Sequence, residues 1–313
     1  MPLLVSLIGG SGFIGAAVAE KLARRGARLR IAARRRARAL RLLPLADPGQ
    51  IDIVPADLRV PDSLTRAVAG ADAVVNLAGT LTPEGSASFE AIHVRGAGAV
   101  AEAAARAGVR ALAHVSAIGA DPHSPSAYGR SKAEGERRTR EAFPTATILR
   151  PSLVFGEDDG FTNRFARLVI TLPIVPVVAP RTRFQPVFVG DVAEAIVRAI
   201  DRQLKGEAAP VFELGGPEVL TMRQIFEFLV RETGRRKPLV DVPDRLVELL
   251  ARLPGGSLTR DQWLMLQRDN VVDPASPGLE ALGITPTSLA AAAPQWLERY
   301  RPGGRFAALR TPA

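Results

Sequence analysis

The chain has 313 residues, 47% of them hydrophobic, enough to bury a sizeable core in one large domain or two unequal ones. It contains no cysteine, which excludes disulfides, thiolate metal sites and cysteine nucleophiles; its three histidines, His93, His114 and His123, lie at no metal-binding spacing, so no metal is expected. The formal charge of +9 would admit acidic partners or lipid headgroups, but arginines are scattered, aromatics make up only 5% and no nucleic-acid motif occurs, so nucleic acid is not an expected partner.

The first apolar run, Leu3 to Ile8, reads as a buried strand and feeds directly into Gly9-Gly10-Ser11-Gly12-Phe13-Ile14-Gly15. After the turn, Ile14, Val18 and Leu22 recur at i, i+4 and i+8, the inner stripe of a helix. A strand, a glycine turn and a helix start together form a cradle for a pyrophosphate: backbone N–H groups and the helix dipole face the anion, and glycine lets the backbone come close. The spacing is G-x-x-G-x-x-G rather than G-x-G-x-x-G, and its context favours nucleotide binding over a purely structural turn.

The second strand, Leu29 to Ala33, ends in Arg34-Arg35-Arg36. An acidic residue at this strand end would accept hydrogen bonds from a ribose 2′-hydroxyl, whereas arginine suits the 2′-phosphate of NADP. The chain uses arginine throughout, thirty-seven against four lysines, so position carries the preference for NADP(H) over NAD(H).

Ile51 to Val54 predicts a third strand, followed by Asp57, placed either to reach an adenine edge or to cap the segment after Pro61. Ala73 to Leu77 predicts a fourth strand, and Asn76-Leu77-Ala78-Gly79 is where the chain must pass close to a bound cofactor. An alanine-rich helix is expected over Phe89 to Ala107, a fifth strand over Ala111 to Val115 and a sixth over Ala146 to Arg150. This alternation predicts an α/β fold, a doubly wound parallel-sheet Rossmann domain over 1–150. Segments near 185–200 rejoin that domain, and 151–313 form a small C-terminal α/β lobe on the substrate side. Val192, Ala195, Ile196, Ala199 and Ile200 make one helix face, and Thr221 with Gln224 has capping-box spacing for another. Phe155, Phe161, Phe165 and Leu168 fit a nonpolar ligand or a core equally well. Leu246, Leu249, Leu250 and Leu253 form a stripe beside Arg245 and Arg252, fit to cover the lobe itself or to meet a partner or headgroups.

Tyr128 and Lys132 stand at i and i+4 in an expected helix and so share one face. A phenol near pKa 10 is a poor base at neutral pH, and a neighbouring ammonium lowers that pKa by stabilising the phenolate. Ser116, at the end of the fifth strand, is placed to hydrogen-bond a carbonyl. Ser116, Tyr128 and Lys132 together are the candidate catalytic set for moving a proton while a nicotinamide exchanges hydride.

These residues resemble the extended short-chain dehydrogenase/reductase superfamily over essentially the whole chain. The resemblance implies NAD(P) binding through Gly9, Gly12, Gly15, Arg34 and Asp57. Phe13, Ile14, Arg35, Leu58, Leu77, Ala78, Gly79, Tyr128, Lys132 and Pro151 would complete the nucleotide site. Ala142 to Ser152, Val154 to Asp158 and Gln185 to Val192 look like the reductase-like NAD(P)H-binding accessory subunits of respiratory complex I. The tail segments Asp261 to Val272 and Leu282 to Thr287 are similar to alphaproteobacterial members. That resemblance implies a tightly held, mainly structural NADPH and docking on peripheral-arm subunits near the membrane surface. The alternative is a free NADP-dependent oxidoreductase or epimerase using the Ser-Tyr-Lys set. The first strand begins at residue 3, and the longest apolar stretch, Leu168 to Pro180, is broken by Pro173 and Pro176. A protein of the bacterial cytoplasm, at most peripheral on the inner membrane, is therefore expected.

Overall fold

Strands buried on both faces need continuous apolar sequence, and the first 150 residues supply it repeatedly. The computed structural model describes residues 2–83, 85–208, 210–252 and 258–304. In chain order the first unit holds β1 (Leu4–Ile8), α1 (Phe13–Arg24), β2 (Arg28–Ala33), α2 (Arg36–Leu40), β3 (Ile51–Pro55), α3 (Pro61–Val68) and β4 (Ala73–Asn76). A π-helical stretch (Glu90–Arg95) runs into α4 (Gly96–Arg106), followed by β5 (Ala111–Val115), α5 (Ala127–Ala142) and β6 (Thr147–Pro151). After a stretch belonging to the second unit, with β7 (Val154–Phe155), α6 (Thr162–Thr171), β8 (Val175–Val177), β9 (Arg183–Phe184) and β10 (Val187–Phe188), the chain returns to the first for α7 (Val189–Leu204) and β11 (Val211–Leu214).

The seven long strands make one parallel sheet in the order β11-β6-β5-β4-β1-β2-β3. The order reverses between β1 and β4, and a crevice opens outside the carboxyl ends of the strands at such a switch point. Leu64, Val74, Val100, Ala101, Ala104 and Leu112 pack in one core layer against the sheet. The alanines of α4 let that helix lie close. The helix expected over 89–107 is π-helical in its first turns, where α5 lies backbone to backbone against it: a Cβ on Gly135 would stand 2.1 Å from the His93 carbonyl oxygen.

Arg150 on β6 ties this unit together. It donates to both carboxylate oxygens of Glu136 on α5 at 2.9 and 2.7 Å, and to Glu213 on β11 at 3.4 Å. Removing one partner of such a network leaves buried charge uncompensated. Arg150→Ala should therefore cost about 3–5 kcal/mol in urea unfolding, a loss below about 1 kcal/mol showing that the carboxylates are hydrated instead.

The second unit comprises Ser152–Phe188, Gly215–Val272 and the chain from Pro286 on. It adds β12 (Leu220–Thr221), α8 (Met222–Glu232), β13 (Leu239–Asp241), α9 (Asp244–Ala251), α10 (Arg260–Leu266), α11 (Leu289–Ala292) and α12 (Pro294–Leu297). Thr221 and Gln224 form the expected capping box at the start of α8. Phe155, Phe161 and Phe165 lie in the unit's own core with Phe226 and Trp296, which accounts for their apolar character without a ligand. On α9 the inward residues are Val247 and Ala251, packed on Trp263. Leu246, Leu249 and Leu250 point outward and are 47–60% exposed, so they do not cover the lobe as one reading of the stripe had it. Leu253 lies outside the described residues.

Candidate functional site

The glycine turn sits at the switch point and is built to keep its backbone open. Gly9 adopts φ +77°, a left-handed value that favours glycine, and a Cβ there would stand 3.1 Å from the Ala78 backbone. That approach joins the turn to Leu77, Ala78 and Gly79 at the end of β4, where Leu77 N–H donates to the Ile8 carbonyl. A Cβ on Gly15 would meet the Gly10 carbonyl oxygen at 2.4 Å. Gly12 is the N-cap of α1, offers no side chain to the first turn, and no acidic residue stands there. The leading N–H groups of the helix, from Phe13 and Ile14 onward, therefore keep their capacity for an external anion.

Arg34 and Arg35 follow β2, exposed and without an ion pair among the described residues. Asp57 follows β3 but does not cap α3, whose N-cap is Val60. Its carboxylate takes Nε and Nη2 of Arg59, a residue the sequence reading did not single out. The side-chain bond from Arg59 chiefly holds the Asp57 carboxyl down to about 2, with the Arg34 charge adding to it. Leu58 turns into the core layer, where a Cβ on Gly96 would touch it at 2.9 Å. Pro151 ends β6, and its carbonyl accepts the Ile118 N–H.

On the other side of the switch point, Ser126 caps α5 by accepting from Gly129 N–H, and this helix carries Tyr128 and Lys132. Lys132 Nζ lies 5.9 Å from the Tyr128 ring centroid and donates to the Val115 carbonyl at 3.2 Å, the residue before Ser116. Ser116 is buried and its Oγ has no hydrogen-bond partner. Burial pushes the Tyr128 phenol above its ordinary value, and holds the Lys132 ammonium down to about 8 despite Glu136 one turn away. The net shift of the phenol is upward, against the lowering expected from the neighbouring ammonium, because burial dominates it. A phenol that keeps its proton is a donor, which suits carbonyl reduction.

Two histidines, absent from the candidate set, prove to belong to this cluster. Thr80 N–H donates to His93 Nε2 at 3.0 Å, so Nδ1 carries the proton toward Ser131 Oγ at 2.9 Å. Ser131 in turn donates to the Tyr128 carbonyl at 2.8 Å, and the His93 ring stacks on Phe89 and meets Tyr128 edge-on at 5.4 Å. His93 thus clamps the loop after β4 onto the helix bearing Tyr128. His114 on β5 faces Asn76 on β4, with 3.1 Å between Asn76 Nδ2 and Nδ1, and its Nε2 has no partner. The only advance signal was strand register, which sets Asn76 opposite His114.

Burial, with the Lys132 charge adding, lowers both imidazoles to about 3. The folded chain then stays neutral at positions where the unfolded chain protonates near pH 6.5, so stability is lost as pH falls below that value. The slope should approach about 1.4 kcal/mol per pH unit for each histidine between roughly pH 6 and pH 4. Urea unfolding across this window checks it: His114→Asn should remove about half of the slope, and an unchanged slope would show that these rings do not remain neutral.

The glycine cradle, the uncapped helix start and the unpartnered Ser116 hydroxyl fit a nicotinamide nucleotide, whose pyrophosphate the start of α1 would hold. Such a nucleotide, when bound, would be able to supply hydride. Among the described residues no cluster could hold a metal ion.

Residues 5–215 match the NAD dependent epimerase/dehydratase family. The NADH-ubiquinone oxidoreductase 40 kDa subunit of Neurospora crassa mitochondria is 31% identical over 95% of this chain and 79% of its own length. The ceramide reductase of Caulobacter vibrioides is 32% identical over 84% of this chain and 79% of its own. The NADPH-dependent quinone oxidoreductase QOR2 of Escherichia coli, solved with NADPH, superposes with a TM-score of 0.72 at 20% identity, over 92% of this chain and 97% of its own, a likeness of fold. The chain belongs to the NAD dependent epimerase/dehydratase family, within the extended short-chain dehydrogenase/reductase superfamily.

Proposed function

We propose that this protein is a nucleotide-holding, reductase-like accessory subunit of a bacterial NADH:ubiquinone oxidoreductase, complex I, carrying NADP(H) in a mainly structural role. One observation carries the reading: similarity to the Neurospora subunit runs over 95% of the chain, well past residue 215, where the family match ends. The C-terminal segments are therefore shared as well as the dinucleotide fold. The unpaired arginines after β2 favour NADP(H) over NAD(H). No helix among the described residues is long and apolar enough to cross a membrane, which fits peripheral association at the cytoplasmic face of the inner membrane. The outward leucines of α9, flanked by Arg245 and Arg252, supply a surface suited to peripheral-arm subunits or headgroups. Affinity purification of the tagged chain from gently solubilised membranes should recover complex I subunits; recovery of none would overturn the reading.

A second reading, a free NADP-dependent reductase, draws on Tyr128, Lys132 and Ser116 standing at one end of the sheet with a protonated phenol. The similarity to a ceramide reductase favours a lipid carbonyl as its substrate class. Ser116 would orient the carbonyl, Tyr128 would donate the proton, and Lys132 would stabilise the phenolate left behind. Turnover of NADPH with ceramide-type lipid ketones by the purified chain would establish it.

A further inference from the structure

Arg41, just beyond the short helix α2, reaches back thirty residues in sequence and donates from Nη2 to the Ser11 carbonyl at 3.1 Å. Ser11 lies inside the glycine turn, and that turn is tied to the end of β2 by Gly9 N–H donating to the Ala32 carbonyl at 3.0 Å. Arg41 and the residues leaving β2 therefore belong to one corner of the nucleotide cradle.

The charge in that corner is unbalanced. From Ile31 to Ala46 the sequence holds five arginines and no carboxylate. Arg34, Arg35, Arg36, Arg38 and Arg41 are all exposed, and none is in an ion pair among the described residues. Exposed like charges repel one another over a screening length of about 8–10 Å, and a bound anion offsets that repulsion. A phosphate monoester brings about −1.5 to −2 charge and three acceptor oxygens, which match the planar guanidinium fork. The Ser11 carbonyl presents the negative end of a dipole within the glycine turn. Arg41 cancels it with one N–H and keeps four further donors.

We propose that Arg41 is a second cation of the 2′-phosphate subsite, acting with Arg34 to set the preference for NADP(H). This rests on the NADP(H) reading above. The test compares dissociation constants of the purified full-length chain for NADPH and NADH, by nicotinamide fluorescence, in wild type, Arg34→Ala and Arg41→Ala. Loss of a charge-assisted contact predicts that Arg41→Ala weakens NADPH roughly 10- to 100-fold while NADH changes less than about twofold. Equal weakening of both nucleotides would make Arg41 a brace for the glycine turn and overturn the proposal. A wild type that prefers NADPH, with Arg34→Ala weakened but Arg41→Ala unchanged, would overturn the proposal and leave the NADP(H) reading standing. A wild type that binds NADH as tightly as NADPH would overturn both.

Discussion

Gly15→Ala should weaken NADPH binding by about two to three orders of magnitude while the chain still folds. The added Cβ would lie 2.4 Å from the Gly10 carbonyl oxygen and 2.6 and 2.7 Å from its carbonyl carbon and Cα. All three are backbone atoms of the turn, so no side chain can swing away and the turn itself must open. Opening it withdraws at least two of the N–H groups at the start of α1 from the anion. Hydrogen bonds to a charged group contribute roughly 1.5–3 kcal/mol each, so losing two corresponds to about 3–6 kcal/mol, and two to three decades is the lower part of that range. Gly160→Ala is the matched control, because a Cβ there meets nothing within 4 Å. Fluorescence titration with NADPH separates them; equal affinity for both variants would show that the nucleotide does not use this turn.

Tyr128→Phe should lower any carbonyl-reducing turnover by about two to four orders of magnitude with NADPH affinity nearly unchanged. The phenol is the proton donor, and Phe keeps its ring against His93 and Phe89 while deleting the hydroxyl. Lys132, held down to about 8, adds a pH signature. Below that value the ammonium is present to stabilise the phenolate, so the rate should fall as pH rises through about 8. Undiminished turnover by Tyr128→Phe would remove the phenol from the chemistry. Wild type and variant both inert across a broad carbonyl panel would leave the nucleotide its structural role.

What the sequence made legible was whatever depends on neighbours close in the chain. Continuous apolar runs announced the strands, with end shifts of about one residue: β4 stops at Asn76 and β6 runs from Thr147 to Pro151. The glycine turn and the i, i+4 pair of Tyr128 and Lys132 are likewise local patterns. What escaped notice depends on partners far along the chain. His93 gains its role from Thr80 and Ser131, Arg41 from Ser11, and Asp57 loses its freedom to Arg59. Nothing in the sequence around Gly135 announces the His93 carbonyl that stands over it, and the π-helical turns before α4 accompany that backbone contact. On α9 the heavier apolar stripe faced outward because two smaller residues, Val247 and Ala251, already filled the space against Trp263. The phenol's upward shift has a related reason: i, i+4 spacing puts the ammonium on the same face but does not report how deeply the fold buries the phenol.

The most direct test of the central claim is a complexome profile of native membranes in mild detergent, following this chain by mass spectrometry in strains carrying wild type and Gly15→Ala. The wild-type chain should comigrate with the complex I core, and the variant, unable to hold its nucleotide, should be depleted from that band. Migration of the wild-type chain alone, at monomer or dimer size, would contradict the accessory role and make the protein a free reductase.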